Sequence, residues 1–294
     1  MKILNFGSLN VDYVYTVDHM VQPGETLASQ KMEVFPGGKG LNQSISLARA
    51  GAEVYHAGQV GEDGLFLKKL CEENGVDCTY LKEIPGKNGN AVIQVDQSGQ
   101  NCILLYGGSN RTLTKEFIDE VIGHFDSGDL ILLQNEVNLM DYIIERAYEQ
   151  EMIIALNPSP HNEAMEACDL SKVTYFLMNE IEGGQITGKT QPEDILDVML
   201  ERYPDAKVVL TLGKDGVVYR DKEEQCTQGI FKVKAVDTTA AGDTFTGYFL
   251  SGVLGGDPVA EALCMASKAS AIAVSRQGAS PSIPWKKEVE ETEL

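Results

Sequence analysis

Short apolar runs alternate with amphipathic stretches along most of this chain, and that alternation restricts the fold more than any other feature. Helical patterns separate the runs, and strands that alternate with helices form a mostly parallel sheet covered on both faces. We therefore predict an α/β fold. The predicted strands are Ile3–Phe6, Val54–Gly58, Leu130–Leu133, Ile153–Leu156, Val173–Met178 and Val208–Leu212. The predicted helices are Gly40–Ala50, Leu65–Asn74, Lys115–His124, Leu139–Gln150 and Asp194–Arg202, followed by two long ones, after Gly242 and over Pro258–Val274.

Two stretches, about 11–34 and 78–106, do not fit the alternation. The first contains the turn residues Pro23 and Gly24. The second contains two apolar runs around the turn-like residues 97–100, which is typical of a β-hairpin. We predict that both stretches form strands outside the main sheet, as a small lid. The tail from residue 286 is predicted to be a short surface helix or a frayed end.

The charge restricts the classes of partner. The 294 residues carry a formal net charge of −20, which repels nucleic acid and anionic membranes. A nucleotide remains compatible, provided that helix N-termini, a metal ion or a few basic residues supply local positive potential. The six cysteines have no C-x-x-C spacing. The first residues lack the apolar core and cleavage site that are typical of a signal peptide, and no apolar run reaches the length of about 20 residues that a membrane span needs. We expect a cytoplasmic protein with reduced thiols.

The segment D-T-T-A-A-G-D-T, residues 237–244, is the first candidate for chemistry. It follows a predicted strand at 231–236 and precedes a helix. Ala240, Ala241 and Gly242 carry little side chain, so their N–H groups can approach a transferring phosphoryl group. Asp243 stands beside them and can accept a proton from an attacking hydroxyl. The alternative is that Asp243 only caps the helix.

Two further motifs lie near the N-terminus. In F-P-G-G-K-G-L-N-Q, the glycines let a ligand lie against the backbone, and Lys39 and Asn42 supply donors. In G-S-L-N-V-D, Asn10 and Asp12 are two residues apart, so they face the same side of an extended segment and can bracket vicinal hydroxyls. The alternatives are a glycine turn before a helix, with Lys39 in solvent, and an Asx turn at a strand end.

A P-loop pattern at Gly183–Thr190 is expected to be a coincidence. That mechanism needs a strand directly before the first glycine, whereas helical sequence intervenes here. Thr190 and Glu193 have the spacing of a capping box around Pro192, which would start the next helix after the pattern.

The three motifs, in this order, resemble the ribokinase-like (pfkB) family of carbohydrate kinases. The segments at 156–160, 179–182, 211–216 and 278–285 also fall in family order, so the resemblance covers essentially the whole chain. It implies one three-layer α/β/α domain over 1–294 with a β-sheet lid. It also implies transfer of the γ-phosphate of ATP to a sugar hydroxyl, with Mg²⁺, activation by K⁺ and a possible homodimer through the lid.

The resemblance also assigns roles to residues. Asp243 matches the catalytic base, and Ala240, Ala241 and Gly242 match the anion hole. The sugar-binding positions are Asn10, Asp12, Gly38, Lys39, Asn42, Glu136 and Asp243. The nucleotide positions are Asn179, Thr211, Gly213, Gly216 and Gly242, and Glu182 matches a position tied to Mg²⁺. The monovalent-cation positions are Asp237, Thr239, Ala273, Arg276, Gly278 and Ser282, mostly through backbone carbonyls.

The substrate that the resemblance favours is D-ribose, phosphorylated at O5. The alternatives are another sugar of the family such as fructose or another ketose, a nucleoside, and a non-catalytic sugar sensor. Departures from the family pattern at Asn135, Asn138, Tyr106 and Arg111 lie on the sugar side, where Tyr106 and Arg111 can reach the pocket. Ser267 stands where a His beside adenine is common.

Overall fold

The computed structural model describes all residues, 1–294, and contains two sheets. The main sheet has nine strands in the order β13-β12-β11-β10-β9-β8-β1-β4-β5. Their bounds are β1 Ile3–Phe6, β4 Val54–Gly61, β5 Leu81–Ile84, β8 Leu130–Gln134, β9 Ile153–Asn157, β10 Tyr175–Asn179, β11 Lys207–Thr211, β12 Val217–Arg220 and β13 Gln225–Gln228. All six predicted strands belong to this sheet, and the pairs from β5 to β11 are parallel, which confirms the predicted α/β class.

Ten helices accompany the sheets, and each predicted helix is present within a few residues of its predicted bounds. The helices are α1 Lys39–Arg49, α2 Leu65–Glu73, α3 Lys115–Ile122, α4 Met140–Glu149, α5 Glu163–Glu166, α6 Glu180–Thr187, α7 Pro192–Arg202, α8 Ala241–Gly255, α9 Val259–Val274 and α10 Lys286–Glu291. The tail is therefore helical at α10. No helix combines the length and apolar character that crossing a bilayer requires.

Alternate residues of the main sheet pack into two separate cores. Ile3 belongs to a cluster with residues of α1, α8 and α9. Its neighbour Leu4 belongs to a second cluster with residues of α3, α4 and α7. Because successive side chains of a strand point to opposite faces, this division follows from the unbroken apolar runs. The result is three layers, with α1 and α8 on the same face of the sheet.

The lid sheet has four strands in the order β3-β2-β6-β7, namely β2 Asn10–Thr16, β3 Lys31–Gly37, β6 Gly89–Val95 and β7 Asn101–Tyr106. The predicted hairpin is β6 and β7, which pair antiparallel. One part of the lid prediction is wrong. Residues 81–84 form β5, which pairs with β4 at the edge of the main sheet, so the second lid segment begins at Gly89.

Two other local predictions are wrong. Residues 231–236 do not form a strand, although Val236 N–H donates to the carbonyl of Val274. The helix α7 begins at Pro192 after Gln191, which makes no side-chain cap, so Thr190 and Glu193 do not form a capping box.

The P-loop pattern lies on the end of α6 and on Gly188, the left-handed residue that terminates it, so no phosphate-binding loop precedes a helix there.

Candidate active site

The start of α8 presents free backbone donors beside a buried carboxylate. Ala240 adopts the left-handed conformation, with φ of 59°, and its carbonyl accepts the N–H of Thr244 at 2.8 Å. The N–H groups of Ala240, Gly242 and Asp243 make no hydrogen bond within the chain, whereas that of Ala241 donates to the carbonyl of Thr238 at 3.3 Å. The open donors at this helix start suit an anion. The sequence predicts that the N–H of Ala241 also belongs to the anion hole, but in the structure this N–H already donates to the carbonyl of Thr238.

The carboxylate of Asp243 is held by the N-terminal glycine motif. Asn42 Nδ2 donates to Asp243 Oδ2 at 3.1 Å, and Gln43 Nε2 donates to Asp243 Oδ1 at 2.9 Å. Asp243 is buried, with 7 % of its surface exposed. Both donors lie on α1, which packs against α8. Asp243 does not cap α8 through its side chain, so the capping alternative does not describe its contacts.

The glycines before α1 bring Lys39 against Glu136. Gly38 has φ of 96°, a conformation that favours glycine. The N–H of Lys39 donates to Glu136 Oε2 at 3.0 Å, and the hydroxyl of Ser8 donates to the same oxygen. Burial raises the pKa of the Glu136 carboxyl, although Lys39 and Ser8 oppose the shift. Burial alone would lower the pKa of Lys39, but the carboxylates of Asp243, Glu136 and Glu182 together raise it.

Asn10 and Asp12 extend from β2 of the lid toward this region. Asn10 Oδ1 accepts a hydrogen bond from Asn110 Nδ2 at 2.7 Å. A Cβ at Gly37 would lie 2.0 Å from Asp12 Oδ2, so only glycine leaves room for this carboxyl group. Burial, followed by the negative charge of Glu136, raises the pKa of Asp12 to about 7. Because side chains alternate along a strand and β2 contains both residues, Asn10 and Asp12 lie on one face of it.

Three cavities run from the lid across the start of α8. The lid cavity is lined by Asn10, Leu105, Tyr106, Gly107, Asn110, Arg111, Asn135, Glu136 and Pro160. The central cavity includes Lys39, Asn179, Glu182 and residues 240–243. The outer cavity, of about 520 Å³, is lined mostly by apolar groups and shares Thr211, Thr238, Ala241, Gly242 and Phe245 with the central one. Such a volume suits a small organic ligand.

The residues expected to contact the nucleotide divide between the central and outer cavities. Thr211, Gly213 and Gly216 line the outer cavity. Asn179 and Glu182 line the central cavity and form a capping box at the start of α6. In it, Asn179 Oδ1 accepts the N–H of Glu182 at 2.9 Å, and Glu182 Oε2 accepts the N–H of Asn179 at 3.0 Å. One carboxylate oxygen of Glu182 thus stays free of hydrogen bonds within the chain.

The residues expected at the monovalent-cation site cluster around Asp237. Its Oδ1 accepts the N–H and the hydroxyl of Thr239, and its Oδ2 accepts the N–H of Gly278 at 2.9 Å. The N–H of Arg276 donates to the carbonyl of Ala273, and the hydroxyl of Ser282 donates to the carbonyl of Ala279. The guanidinium of Arg276 pairs with Glu288, so only the Arg276 carbonyl can serve a cation.

The departures from the family pattern have separate surroundings. Arg111 and Tyr106 both line the lid cavity, and Arg111 Nη1 donates to the carbonyl of Val137 at 3.0 Å. Asn135 Nδ2 donates to Asn162 Oδ1 at 2.9 Å and to the carbonyl of Pro160, which fixes the loop after β9. The other two lie elsewhere: Asn138 bonds to the backbone of Leu113, and Ser267 lines the outer cavity.

Several site residues carry no signal in the sequence. Ser8, Gln43 and Asn110 each contact a predicted residue, but these partners, Glu136, Asp243 and Asn10, lie 100 to 200 positions away in the chain. Residues 230–233 line the outer cavity. The alternating apolar residues of 231–236 are the only sequence feature that marks this segment. A segment that lines a cavity and a half-buried strand both turn one side toward the protein, so the two give the same pattern.

The comparison with known proteins agrees with this geometry. The sequence matches the pfkB family carbohydrate kinases over residues 1–286. It is 35 % identical to a ribokinase of Staphylococcus aureus (strain COL) over 300 residues, covering 98 % of each chain. The structure resembles a ribokinase of Thermotoga maritima, with a TM-score of 0.85, 33 % identity and coverage of 98 % and 97 % of the two chains. It also resembles an Arabidopsis thaliana ribokinase complexed with ribose and ATP, with a TM-score of 0.85, 26 % identity and coverage of 98 % and 97 %. The chain therefore belongs to the pfkB family of carbohydrate kinases.

Proposed function

We propose that this protein transfers the γ-phosphate of ATP to O5 of D-ribose. The observation that carries the proposal is the position of Asp243 beside the open N–H groups that begin α8, next to the central cavity. The relatives that are named ribokinases, including the one complexed with ribose and ATP, support the choice of substrates. Sugar-dependent release of ADP across a panel of D-ribose, D-fructose, other ketoses and nucleosides tests the proposal, which fails if D-ribose elicits no release.

In the proposed reaction, the O5 oxygen of the sugar forms a bond to the γ-phosphorus as the bond from that phosphorus to the β-bridging oxygen breaks. Asp243 takes the proton of the hydroxyl, and ADP leaves. The N–H groups of Ala240, Gly242 and Asp243 stabilise the charge on the transferring group. Removing one well-placed donor of this kind typically costs about 3–4 kcal/mol of transition-state stabilisation.

The sugar is proposed to lie between the lid and α1. Asn10 and Asp12 are suited to vicinal hydroxyls, and Glu136 and Lys39 border the path from the lid cavity to the central cavity. Adenine is proposed to occupy the outer cavity, whose apolar lining suits a planar base. The phosphates then extend over Gly242 toward Asn179 and Glu182.

Mg²⁺ is proposed to arrive with ATP. No group of three or more acidic, histidine or cysteine side chains could hold a metal ion without the nucleotide, and Mg²⁺ typically binds one or two carboxylates together with substrate phosphates. The free carboxylate oxygen of Glu182 suits that role, directly or through water. When bound, the ion would neutralise phosphate charge.

K⁺ is proposed to activate the enzyme at the Asp237 cluster. The hydroxyl of Ser282 donates its proton to Ala279, so its oxygen is free to face a cation, as are the carbonyls of Arg276 and Gly278, to which no backbone N–H donates. Because Ala240 is only three residues after Asp237, a cation there would polarise the backbone that leads into the anion hole.

A homodimer through the lid is proposed from the exposed apolar side chains of β7. Ile103, Leu104 and Leu105 expose 53 %, 71 % and 55 % of their surface, and Met32 and Val34 of β3 are also exposed. Met32, Val34 and Leu104 lie on one face of the lid sheet, and an exposed apolar face of this kind marks an interaction site. Substituting Leu104→Asp should convert a dimer to a monomer in light scattering, whereas Leu65→Asp on α2 should not. A wild-type monomer at high concentration would contradict the proposal.

A further inference from the structure

A chain of buried amide groups lies behind Asp243. Gln43 Nε2 donates to Asp243 Oδ1 at 2.9 Å, and Gln134 Nε2 donates to Gln43 Oε1 at 2.7 Å. Gln134 Nε2 also donates to Asn5 Oδ1 at 3.0 Å. The side chains of Gln43, Gln134 and Asn5, which we name the amide network, have no exposed surface. They come from α1, β8 and β1, so three separate elements converge on one carboxylate.

The groups at the two ends of the amide network, the Asp243 carboxylate and the Gly40 carbonyl, fix the orientation of every amide in it. A carboxylate such as that of Asp243 can only accept, so Gln43 must turn its NH₂ group toward it. At the other end, Asn5 Nδ2 contacts the carbonyl of Gly40 at 2.8 Å, which also only accepts. The carbonyl oxygens of Gln43 and Asn5 therefore both face Gln134, and only its NH₂ group can satisfy them.

The far end of the network is fixed by a neutral histidine. Asn5 Nδ2 donates to Ser44 Oγ at 2.7 Å, and the Ser44 hydroxyl lies 2.8 Å from His56 Nδ1. His56 Nε2 lies 3.2 Å from the carbonyl of Gly7, which requires the proton on Nε2. Burial lowers the pKa of His56 to about 4, so the ring stays neutral near pH 7. The Ser44 hydroxyl then donates to Nδ1 and accepts from Asn5.

Gln134 carries an unfavourable feature that the orientation explains. Its Oε1 is buried and makes no hydrogen bond. Rotating the amide would not help, because Oε1 would then face the carbonyl oxygens of Gln43 and Asn5. A buried acceptor without a partner is rare in native proteins and calls for an explanation. Here the unpaired oxygen is the consequence of using both N–H donors of Gln134 to orient its neighbours.

We propose that Gln134 is a positioning residue for the reaction, acting through Gln43 to hold the Asp243 carboxylate in place for the sugar hydroxyl. The backbone of Gln134 adds a second link, because its carbonyl accepts the N–H of Glu136 at 2.8 Å. Gln134 thus lies between the group that is proposed to accept the proton and the carboxylate that is proposed to contact the sugar. The inference rests on the proposed role of Asp243.

Two single variants and their combination test the role of Gln134. Gln134→Met keeps the length of the side chain but removes both donors, and Gln43→Leu removes the donor to Asp243. A displaced reacting group lowers the rate without weakening substrate binding, so we expect each single variant to lower kcat by about tenfold or more. KM for D-ribose should stay within about threefold of the wild type in both variants. Because Gln134 acts through Gln43, the double variant should be no slower than the slower single variant.

The control variants separate this proposal from other causes. Gln150→Met removes another amide hydrogen bond, from Gln150 Nε2 to the carbonyl of Phe125, and should keep the wild-type kcat. Thermal unfolding of each variant shows whether it is folded. If Gln134→Met does not fold, Gln134→Asn, which keeps the amide but is too short to reach Gln43, takes its place with the same expected loss.

The outcomes are distinct. The positioning role is wrong if the Gln134 variant keeps the wild-type kcat. It is also wrong if the kcat losses of the single variants multiply in the double variant. An equal loss of kcat in Gln150→Met would contradict it as well. An Asp243→Asn variant measured in parallel identifies the source of a failure. If Asp243→Asn keeps near-normal turnover, the proposed role of Asp243, on which this inference rests, is wrong. A wild type that releases no ADP with D-ribose contradicts the proposed function itself. If Asp243→Asn is inactive while the Gln134 variant is normal, only the positioning role is wrong.

Discussion

Asn42 Nδ2 lies 3.1 Å from Asp243 Oδ2, and this contact joins two segments that are 201 residues apart in the chain. It brings the N-terminal glycine motif, with its proposed sugar contacts, against the start of α8, with its proposed phosphate contacts. Neither segment forms a site alone. The packing of α1 on α8 therefore determines the distance between the sugar and the group that is proposed to receive its proton.

The left-handed conformation of Ala240 should make the anion hole sensitive to the residue at this position. Ala240→Gly removes a conformational penalty of roughly 1 kcal/mol and should keep kcat and raise the free energy of unfolding. Ala240→Val places a β-branched residue in the same conformation, which should displace Gly242 and lower kcat by about tenfold or more. Steady-state kinetics and denaturant unfolding measure both effects, and equal kcat values in the two variants would contradict this account.

The contact between Gly37 and Asp12 should control sugar affinity. In Gly37→Ala the new Cβ would lie 2.0 Å from Asp12 Oδ2, so the carboxyl group has to move. We expect the Kd for D-ribose to rise by about tenfold or more, with a loss of roughly 1–3 kcal/mol of stability. Gly255→Ala is the control, because nothing lies within 4 Å of its Cβ. An unchanged Kd in calorimetry would remove Asp12 from the sugar site.

Sugar binding should depend on pH through Asp12. Burial, and secondarily Glu136, raises the pKa of Asp12 to about 7, so the free protein holds this proton below pH 7. Because hydroxyls donate more strongly to an ionised carboxylate, D-ribose affinity should fall about tenfold between pH 8 and pH 6. Binding should release a proton at pH 6, measurable by calorimetry in buffers of different ionisation enthalpy.

The Asp12→Asn variant is the control for this pH dependence, and it should bind D-ribose weakly and equally at both pH values. A wild-type affinity that does not change with pH would show that Asp12 is not ionised by sugar binding.

The raised pKa of Asp12 also has a consequence for the stability of the fold. Since the folded-state pKa lies above the unfolded-state value, the Asp12 contribution to the free energy of unfolding should fall as pH rises from about 4 to 7.

Monovalent cations should activate turnover through the Asp237 cluster. At fixed ionic strength, K⁺ should give a higher kcat than Na⁺, and Ser282→Ala should raise the K⁺ concentration needed for half-activation. Ser251→Ala removes another hydroxyl that donates to a carbonyl, that of Ala50, and should leave K⁺ activation unchanged. Equal rates in K⁺ and Na⁺ would eliminate the proposed cation site.

The sequence predicts the main sheet well because its strands are buried on both faces, which leaves unbroken apolar runs such as Leu130–Leu133. The prediction fails where a segment has the apolar pattern of a strand but does not pair with a neighbouring strand. Residues 231–236 have the apolar alternation of a strand, but most of them line the outer cavity and the segment joins neither sheet. The last two strands at one end of the sheet, β12 and the edge strand β13, were not predicted and are short, at four residues each.

The site divides in a similar way. Local chemistry identifies Asp243 and the small residues before it, since a helix start with small side chains has a recognisable pattern. Gln43 and Gln134 cannot be identified in this way, because their roles depend on contacts made only when α1, β8 and α8 come together. The engaged N–H of Ala241 is also invisible in the sequence, because it depends on the turn geometry at Thr238.

The most direct test of the central claim compares Asp243→Asn with the wild type. D-Ribose-dependent ADP release should fall by at least about a hundredfold, because the variant side chain cannot accept the proton. The Kd for D-ribose should stay within about threefold, since the sugar keeps its other contacts. Asp257→Asn, in the exposed loop after α8, should behave as the wild type. An Asp243→Asn variant that releases ADP at a near-normal rate would contradict the account.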